Sequence, residues 1–283
     1  MKTLVTGAAG FSARHLIEYL RGASSAEICC SSLKAAAEKN WFPCELANEE
    51  ATWALIEQIR PDQLYHLAGR FSNDYHTDYS ANVLSTRNLL ESVLRTKRSC
   101  RVLLIGSSAE YGVVAARENP VKENYPLAPA SIYGLTKVYQ TYLMKFYCSI
   151  HNMDLVMARP FNLLGKGMSS KLFVGRVYKQ IEAYKGGRIE KIVVGDLENR
   201  RDYLEVEQAV RYYSVIMQQG EPGGIYNVGS GTSTKLRDLL KRILEENELG
   251  MDVVEERALK DTNKLDIKDL VADISRLKSL MDP

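Results

Sequence analysis

The amino-acid sequence predicts an α/β fold, a doubly wound parallel sheet with helices on both faces. In the first half of the chain, short apolar runs alternate with amphipathic stretches of helical length. Apolar strands separated by helices are typical of right-handed βαβ units, which build such a sheet. The candidate strands are Thr3–Thr6, Glu27–Ser31, Gln63–Leu67, Arg101–Gly106 and Leu155–Arg159. The helices predicted between them are His15–Arg21, Glu49–Ile59, Asn82–Leu94 and Ile132–Ile150.

The alternation of short apolar runs with stretches of helical length changes after about residue 160. A loop rich in glycine and serine, Leu164–Ser170, leads into further elements without a linker that would separate two independent domains. We therefore expect a main domain over residues 1–160 and mostly a smaller C-terminal lobe over residues 161–283, with some segments returning to the main sheet. The elements expected there are a helix near Val174–Tyr184, a strand at Lys191–Val194, a helix near Val206–Gln219, a strand and turn at Tyr226–Gly231, and a helix near Lys235–Asn247.

Composition narrows the class of protein. Of the 283 residues, 45% are hydrophobic and 25% are charged, as in an ordinary globular protein. The net charge of +2 is too small to suggest a nucleic-acid partner, and no apolar run approaches the roughly 20 residues of a membrane span. The five cysteines form no Cys-x-x-Cys pair. We expect reduced thiols in a cytoplasmic protein, without a signal peptide and without a metal site.

A glycine-rich turn links the first predicted strand to the first predicted helix. It reads Thr6-Gly7-Ala8-Ala9-Gly10-Phe11-Ser12-Ala13. Gly7 permits a tight turn, and Gly10 lets the backbone approach a pyrophosphate beside the free N–H groups of the helix N-terminus. A plain strand–helix turn remains the alternative. Because it joins the first strand to the first helix, the turn favours a Rossmann domain, in which Gly7, Gly10, Phe11 and Ser12 contact a dinucleotide.

The end of the second predicted strand indicates which dinucleotide is bound. A cofactor without a 2′-phosphate is usually held there by an acidic side chain that bonds the ribose hydroxyls. The segment here is Cys30-Ser31-Ser32-Leu33-Lys34 and has no acid. Hydroxyls and a lysine accept a 2′-phosphate, which a carboxylate would repel. We therefore expect NADP(H) rather than NAD, with Ser32 in contact with the cofactor; the alternative is that the serines only end a strand.

A tyrosine and a lysine, Tyr133 and Lys137, occupy positions i and i+4 of a predicted helix and so share one face. We expect the Lys137 ammonium to lower the pKa of Tyr133 below its ordinary value of about 10, so that the phenol exchanges a proton near neutral pH. Such pairs also arise by chance. Ser107 adds a second element, because it follows a predicted parallel strand whose carboxyl end opens onto the ligand crevice. Its hydroxyl can bond a substrate carbonyl oxygen.

Seven motifs resemble, in order, those of the extended short-chain dehydrogenase/reductase family, which includes nucleotide-sugar epimerases, dehydratases and reductases. The resemblance spans most of the chain. It implies an NAD(P)-dependent oxidoreductase that acts on a nucleotide-sugar CH–OH or C=O group, with the C-terminal lobe binding the substrate. The motifs are TGAAGF (Thr6–Phe11), HLAG (His66–Gly69), SSAEYG (Ser107–Gly112), YGLTK (Tyr133–Lys137), ARPFN (Ala158–Asn162), RRDYLEV (Arg200–Val206) and YNVGSG (Tyr226–Gly231).

The resemblance also implies roles for single residues. Tyr133 would be the acid/base, Lys137 would hold the nicotinamide ribose, and Ser107 would bond the reacting oxygen. Asn82 would help to fix Lys137 through a water molecule. The other residues that it assigns to the cofactor are Leu46, Leu67, Ala68, Gly69, Pro160 and Phe161, the last two at the nicotinamide.

Within the family, the sequence is most similar to the group of GDP-mannose 4,6-dehydratases and GDP-4-keto-6-deoxymannose reductases. This similarity implies that Asn162 contacts the sugar or diphosphate, that Val174 lines the base pocket and that Arg201 clamps the diphosphate, since a guanidinium fork suits phosphate. Ser108 is assigned to the substrate as well. A structural ion pair between Arg201 and Asp202 is the alternative.

One departure from the family lies late in the chain. Relatives carry an Arg-Pro-like segment there that helps to hold the nucleotide. The corresponding stretch here is Asp261–Asp266, in which Lys264 could act as a substitute point charge.

Dehydration needs a base and an acid that carbonyl reduction does not. In the dehydratases of this group a glutamate lies two residues before the tyrosine of the strand-end motif, and Ala109 stands there in this chain. Glu110 is adjacent, but neighbouring side chains at a strand end usually point in opposite directions. We therefore expect NADPH-dependent reduction of the 4-keto group of a nucleotide-linked 4-keto-6-deoxy sugar in deoxysugar biosynthesis, with GDP as the nucleotide that the resemblance implies. The alternatives are a 4,6-dehydratase or 4-epimerase that retains its cofactor, and a non-catalytic NADP-binding protein.

The resemblance further implies a homodimer. In the family, the helices that correspond to Asn82–Leu94 and Ile132–Ile150 pair with their copies. Tyr139, Tyr142 and Phe146 could face such a partner, or could equally belong to the core.

Overall fold

The computed structural model describes residues 1–257 and 269–281. In chain order its strands are β1 (Lys2–Thr6), β2 (Glu27–Ser32), β3 (Trp41–Pro43), β4 (Gln63–His66), β5 (Arg101–Ile105), β6 (Leu155–Pro160), β7 (Asn162–Leu164), β8 (Ile192–Val194), β9 (Arg200–Arg201), β10 (Tyr203–Glu205), β11 (Ile225–Val228), β12 (Thr234–Lys235) and β13 (Val254–Glu256). Its α-helices are α1 (Phe11–Ala23), α2 (Glu49–Ile59), α3 (Tyr75–Tyr79), α4 (Ser85–Arg95), α5 (Ile132–His151), α6 (Phe173–Lys185), α7 (Val206–Gln219), α8 (Leu236–Glu245) and α9 (Ser275–Met281).

The main sheet has seven strands in the order β3-β2-β1-β4-β5-β6-β11, and all neighbours are parallel. The chain leaves β1 in one direction to build β2 and β3, and then crosses to the other side to build β4, β5, β6 and β11. The carboxyl end of β1 is therefore the topological switch point, where sheets of this kind bind ligands. The predicted fold class, an α/β fold of Rossmann type, is confirmed.

The two faces of the sheet carry separate apolar layers. Leu103 of β5 packs with α1 and α7 on one face, whereas its neighbours Val102 and Leu104 pack with α2, α4 and α5 on the other. Because side chains alternate along a strand and both faces are covered, the strand must be apolar at successive positions. This explains the uninterrupted apolar run that marks β5 in the sequence.

A smaller cluster of elements follows β6. Helices α6 and α8 pack against β8 around a core of their own, which includes Val177, Ile181, Ile192 and Leu240. Three two-stranded sheets, β7 with β10, β9 with β12, and β8 with β13, tie these segments together. Helix α7 and strand β11, by contrast, return to the main sheet, where β11 pairs with β6.

The structure adds elements that the sequence patterns did not reveal. Strand β3 has only three residues, Trp41–Pro43, too few to show a period. Asn82 was expected to open a helix, but it lies within a continuous helical stretch in which a π-helical turn, Ser80–Leu84, joins α3 to α4. In the described part of the chain, no helix is long and apolar enough to cross a membrane.

Candidate active site

The glycine-rich turn fits a dinucleotide at the switch point. Gly7 has φ +67°, and a Cβ atom there would lie 2.6 Å from the backbone nitrogen of Ala68, so only glycine is accommodated. Gly10 is the N-cap of α1, and no side chain of the described residues caps that helix. The first N–H groups of α1 are therefore available to an anion, as a pyrophosphate requires.

A cavity of about 570 Å³ opens beside this turn. It brings together segments from β1, β2 and β4 that are far apart in sequence. Of the residues assigned to the cofactor from sequence, its lining contains Gly7, Gly10, Ser32, Leu46, Leu67, Ala68 and Gly69.

Other residues assigned to the cofactor lie outside that lining. The ring of Phe11 packs edge-on against His15, with centroids 5.4 Å apart, and Ser12 follows it in the first turn of α1. Phe161 is buried beside Tyr111 at the end of β6, next to Pro160.

The amide of Asn82 links a loop to α5. Its Oδ1 accepts from the backbone nitrogen of Arg70 at 2.7 Å, and its Nδ2 donates to the carbonyl oxygen of Arg70 at 3.0 Å and to Thr136 Oγ1 at 2.8 Å. Asn82 thus holds the segment after the HLAG motif against the helix that carries Tyr133 and Lys137.

The two serines at the end of β2 differ in their surroundings. The hydroxyl of Ser32 donates to the carbonyl oxygen of Lys34 at 2.7 Å and accepts from Trp41 Nε1 at 3.0 Å. The hydroxyl of Ser31 is buried, lines the cavity and has no hydrogen-bond partner among the described residues. A buried hydroxyl without a partner is costly, so Ser31 Oγ is poised to bond a ligand that enters the cavity.

A second cavity, of about 630 Å³, adjoins the first at Ser32 and Lys34. Arg14 and Arg21 also line it. Arg21 is engaged with Glu38, at 2.8 Å, whereas Arg14 makes no ion pair within residues 1–257 and 269–281. Sequence reasoning missed Arg14 and Ser31, although an arginine one turn after Gly10 and a serine next to Ser32 are visible signals.

Ser107, Tyr133 and Lys137 come together at the carboxyl end of β5. Ser107 follows that strand; its hydroxyl accepts from the backbone nitrogen of Ala109 at 3.2 Å and lies near enough to Tyr133 to act on its pKa. Tyr133 lies in the first turn of α5, which begins after the N-cap residue Ser131. Lys137 Nζ lies 5.7 Å from the centroid of the Tyr133 ring and donates to the carbonyl oxygen of Ile105 at 2.9 Å.

The expectation that Tyr133 is unusually acidic is wrong for this structure. Burial raises the pKa of Tyr133 to about 12, with the hydrogen bond from Ser107 acting in the opposite direction. Burial also lowers the pKa of Lys137 to about 8, with Glu110 and Asp78 opposing that shift. For both groups the loss of water is the largest cause of the pKa shift. A phenol with this pKa carries its proton at neutral pH.

Glu110 ends a short 3₁₀ turn, Ser108–Glu110, and its carboxylate is engaged by neighbouring residues. It is fully buried, and its Oε2 accepts from Arg159 Nη2 at 2.9 Å. Its Oε1 accepts from the backbone nitrogen of Ser107 at 2.8 Å, and Thr141 donates to it as well. With its lone pairs engaged in this way, the carboxylate is not free to act as a base. Ala109, at the position of the dehydratase glutamate, has no carboxylate.

The residues assigned to the substrate are dispersed. Asn162 Nδ2 donates to the carbonyl oxygen of Asp202 at 3.0 Å, and Arg201 Nη1 donates to that of Arg200 at 2.7 Å. Val174 is buried at the edge of a third cavity, of about 1000 Å³, which α6 and α8 line. Ser108 begins the short 3₁₀ turn after Ser107.

Two other residues bear on the substrate assignments. The buried carboxylate of Asp202 holds the YNVGSG turn, accepting from the backbone nitrogens of Ser230 and Gly231 at 2.7 and 3.0 Å. Lys264 lies outside the described residues.

Comparison with known proteins places this geometry in a family. The family model described as "NAD dependent epimerase/dehydratase family" matches residues 3–229. GDP-6-deoxy-D-mannose reductase of Pseudomonas aeruginosa is 28% identical over 270 residues, which cover 91% of this chain and 84% of that protein. UDP-glucose 4-epimerase of Mycolicibacterium smegmatis is 28% identical over 258 residues, which cover 84% of this chain and 80% of that protein.

The same comparison was made with solved structures. The structure of RMD from Pseudomonas aeruginosa complexed with NADPH matches with a TM-score of 0.84 at 25% identity, covering 99% of this chain and 92% of that one. The chain therefore belongs to the NAD dependent epimerase/dehydratase family, that is, to the extended short-chain dehydrogenases/reductases, and its oxidoreductase class is confirmed.

Proposed function

We propose that the protein reduces, with NADPH, the 4-keto group of a nucleotide-linked 4-keto-6-deoxy sugar, and that the nucleotide is GDP. The observation that carries this proposal is the pairing of a protonated Tyr133 with a sequestered Glu110. A ketone reduction needs a proton donor beside the carbonyl oxygen, which Tyr133 supplies. Dehydration would need a free carboxylate as well, and Glu110 is bonded to Arg159 and Ser107 instead. The reductase named above is 28% identical to this chain.

The chemistry divides between the cofactor and the chain. A bound nicotinamide supplies the hydride that reaches the carbonyl carbon. The hydroxyls of Ser107 and Tyr133 lie side by side and can both bond the carbonyl oxygen, which gains negative charge as the carbon is reduced. Tyr133 then passes its proton to that oxygen and the alcohol forms. The Lys137 ammonium favours the phenolate that remains.

A nicotinamide cofactor is supported by the family and by the glycine turn, and we propose that it is NADP(H). The two neighbouring cavities leave room for the adenosine ribose of the cofactor at Ser31 and for its 2′-phosphate near Arg14 and Lys34. No acidic side chain lies among the five residues directly after β2, and Glu38, which lines the second cavity, is paired with Arg21. A guanidinium and an ammonium are the groups that bind phosphate most strongly in proteins.

We also propose a homodimer. Tyr142 and Phe146 are 58% and 50% exposed, so they do not belong to the core. Tyr139 extends the patch, and its ring meets that of Tyr79 edge-on at 6.3 Å. An aromatic patch of this kind on one face of α5 and α3 is typical of a protein–protein interface, and a second copy of the chain is the partner that the family resemblance suggests.

The reaction is tested with a panel of GDP-, dTDP-, CDP- and UDP-linked 4-keto-6-deoxy sugars and NADPH. We expect loss of NADPH absorbance with the GDP-linked compound, and a product two mass units heavier than its substrate. The alternatives are tested with the parent hexoses that still carry their 4- and 6-hydroxyls, such as GDP-mannose; a parent sugar that changes without net loss of NADPH would indicate a dehydratase or epimerase instead. If no sugar of the panel reacts, the proposed activity is wrong.

A further inference from the structure

A chain of buried polar side chains lies beneath Lys137. Lys137 Nζ donates to Gln140 Oε1 at 2.8 Å. Gln140 Nε2 donates to Thr86 Oγ1 at 2.7 Å, and Thr86 Oγ1 donates to the carbonyl oxygen of Asn82 at 2.6 Å. Gln140 and Thr86 are both inaccessible to solvent. A buried amide destabilises the fold unless its hydrogen bonds are made, so a glutamine on the inner face of α5 needs an explanation.

The hydrogen bonds decide which way the Gln140 amide faces. A threonine hydroxyl has one proton, and that of Thr86 goes to the carbonyl oxygen of Asn82. The Thr86 oxygen can therefore only accept from Gln140. Since the amide nitrogen of Gln140 must face Thr86, its carbonyl oxygen must face Lys137.

His66 supports this assignment from the other side of the chain. Its Nε2 lies 3.0 Å from Thr86 Oγ1, and its Nδ1 lies 2.8 Å from Thr6 Oγ1. Because the Thr86 proton is already used, Nε2 of His66 is the donor, and Nδ1 accepts from Thr6. Burial lowers the pKa of His66 to about 3, and the charge of Lys137 acts in the same direction. The imidazole is thus neutral at ordinary pH, and the direction of the network is fixed.

An ammonium has three N–H groups, and two of those on Lys137 are accounted for. One bonds the carbonyl oxygen of Ile105 at 2.9 Å, and one bonds Gln140 at 2.8 Å. A Cβ atom placed on Gly69, which lines the cofactor cavity, would lie 3.4 Å from Lys137 Nζ. The third N–H group therefore faces the cavity.

We propose that Gln140 is a positioning residue, whose carbonyl oxygen holds the Lys137 ammonium against the carbonyl oxygen of Ile105 so that one N–H group faces the cofactor. This inference rests on the proposed function, in which Lys137 assists Tyr133. Without the Gln140 acceptor, the ammonium would be free to turn and would lose its proton more easily.

Other charged and titratable groups also face Lys137. Glu110 and Asp78 both favour its charged form. His66 is neutral, and the partly buried Tyr133 is protonated. Gln140 is a neutral acceptor in direct contact with Nζ. Replacing it therefore changes the hydrogen bonding and the charge beside the ammonium, while the carboxylates of Glu110 and Asp78 stay in the protein.

The test compares two variants that act on Lys137 in opposite directions. Gln140→Leu removes the acceptor, and Gln140→Glu places a negative charge beside the ammonium while keeping the size of the side chain. Ser92→Ala is the control, since Ser92 is a buried hydroxyl of α4 whose one hydrogen-bond partner among the described residues is the carbonyl oxygen of Asn88. The readouts are the pH dependence of NADPH binding, followed by NADPH fluorescence, and the pH dependence of kcat.

We expect the alkaline limb of both profiles to move to lower pH in Gln140→Leu and to higher pH in Gln140→Glu, by about one unit each, and to stay in place in Ser92→Ala. A merely structural role for Gln140 would not shift the limb in opposite directions. The proposal is overturned if the alkaline limb stays in place in both variants or moves in the same direction in both. If Gln140→Leu does not fold, Gln140→Glu alone decides: an alkaline limb that does not move to higher pH overturns the proposal.

The binding profile needs no sugar, which separates this inference from the proposed reaction. Opposite shifts in NADPH binding, with no 4-keto sugar reduced, would support the role of Gln140 and contradict the proposed substrate. Reduction of the sugar, with pH profiles that do not shift in the Gln140 variants, would support the proposed substrate and contradict the role of Gln140.

Discussion

The carboxylate of Glu110 and the guanidinium of Arg159 form a fully buried ion pair, 2.9 Å long, directly beneath Ser107. The guanidinium also donates to the hydroxyl of Tyr111 at 2.9 Å. Because Glu110 holds the backbone nitrogen of Ser107 at the same time, the pair ties the end of β5 to β6. The carboxylate of Glu110, next to the position of the dehydratase glutamate, is thus part of the support of the site.

Removing one partner of this pair should be costly. Glu110→Ala leaves the Arg159 charge buried without its counter-ion, and we expect the free energy of unfolding to fall by about 3–5 kcal/mol. Glu118→Ala is the matched control, since Glu118 pairs with Arg117 on the surface, and such pairs contribute about 0–1 kcal/mol. Urea unfolding measures both. If the free energy of unfolding falls equally in the two variants, the buried ion pair matters no more to stability than the one on the surface.

Tyr133→Phe should separate binding from chemistry. The change removes the proton donor and leaves the glycine turn intact, so kcat should fall by about 10²- to 10⁴-fold while NADPH binding is kept. Steady-state kinetics and fluorescence titration give the two quantities. Unchanged turnover would refute the assignment of Tyr133 as the acid and would favour a non-catalytic role for the fold.

The rate of reduction should depend on the charge of Lys137. Its pKa is lowered to about 8, mainly by burial, so the ammonium is present below that pH and is lost as the pH rises through it. We expect kcat to decline over the same interval. Lys137→Arg keeps its charge throughout, and whatever activity it retains should lack this decline. A rate that rises through pH 8 in the native protein would contradict the assignment.

Cofactor preference should depend on Arg14. Arg14→Ala is expected to weaken NADPH binding by about tenfold to a hundredfold, the effect of losing charged hydrogen bonds, and to leave NADH binding unchanged. Arg211→Ala serves as the control, because Arg211 is exposed and lies outside the lining of both cavities. Fluorescence titrations measure the binding of both cofactors. If Arg14→Ala weakens NADH binding as much as NADPH binding, Arg14 does not contact the 2′-phosphate.

A charge on the aromatic patch should abolish the dimer. Phe146→Glu puts a carboxylate into this patch, and sedimentation velocity should then show a monomer where the native chain sediments as a dimer. Leu33→Glu changes an exposed apolar residue elsewhere and should leave the dimer intact. A native chain that sediments as a monomer would remove the basis for this interface.

Sequence reasoning located the sheet, and it singled out Ser107, Tyr133 and Lys137, which the structure brings together, because both leave local patterns in the sequence. The main-sheet strands β1, β2, β4, β5 and β6 are buried on both faces and appear as apolar runs, and the glycine turn has one steric explanation, the close approach of Ala68 to Gly7. By contrast, β3 has three residues and pairs only with β2. Its existence depends on tertiary contacts that no local pattern records.

The pKa shifts in the site could not be predicted from the spacing of residues in the sequence. Two residues one turn apart suggest that Lys137 acidifies Tyr133, but the sign of the pKa shift depends on how much water each group loses, which is a property of the folded chain. Gln140 lies three residues after Lys137 on the same helix. The sequence shows a polar residue at this position of the helix. It does not show the hydrogen-bond partner of Gln140, because Thr86 comes from another helix.

The central claim, net reduction at the sugar C4, is tested most directly by isotope transfer. NADPH carrying deuterium at the transferred position of its nicotinamide is mixed with the GDP-linked 4-keto-6-deoxy sugar and the native protein, and the product is analysed by mass spectrometry. The account predicts one deuterium at C4 of the sugar for each NADPH oxidised. A product without deuterium, formed while the NADPH absorbance stays constant, would contradict it.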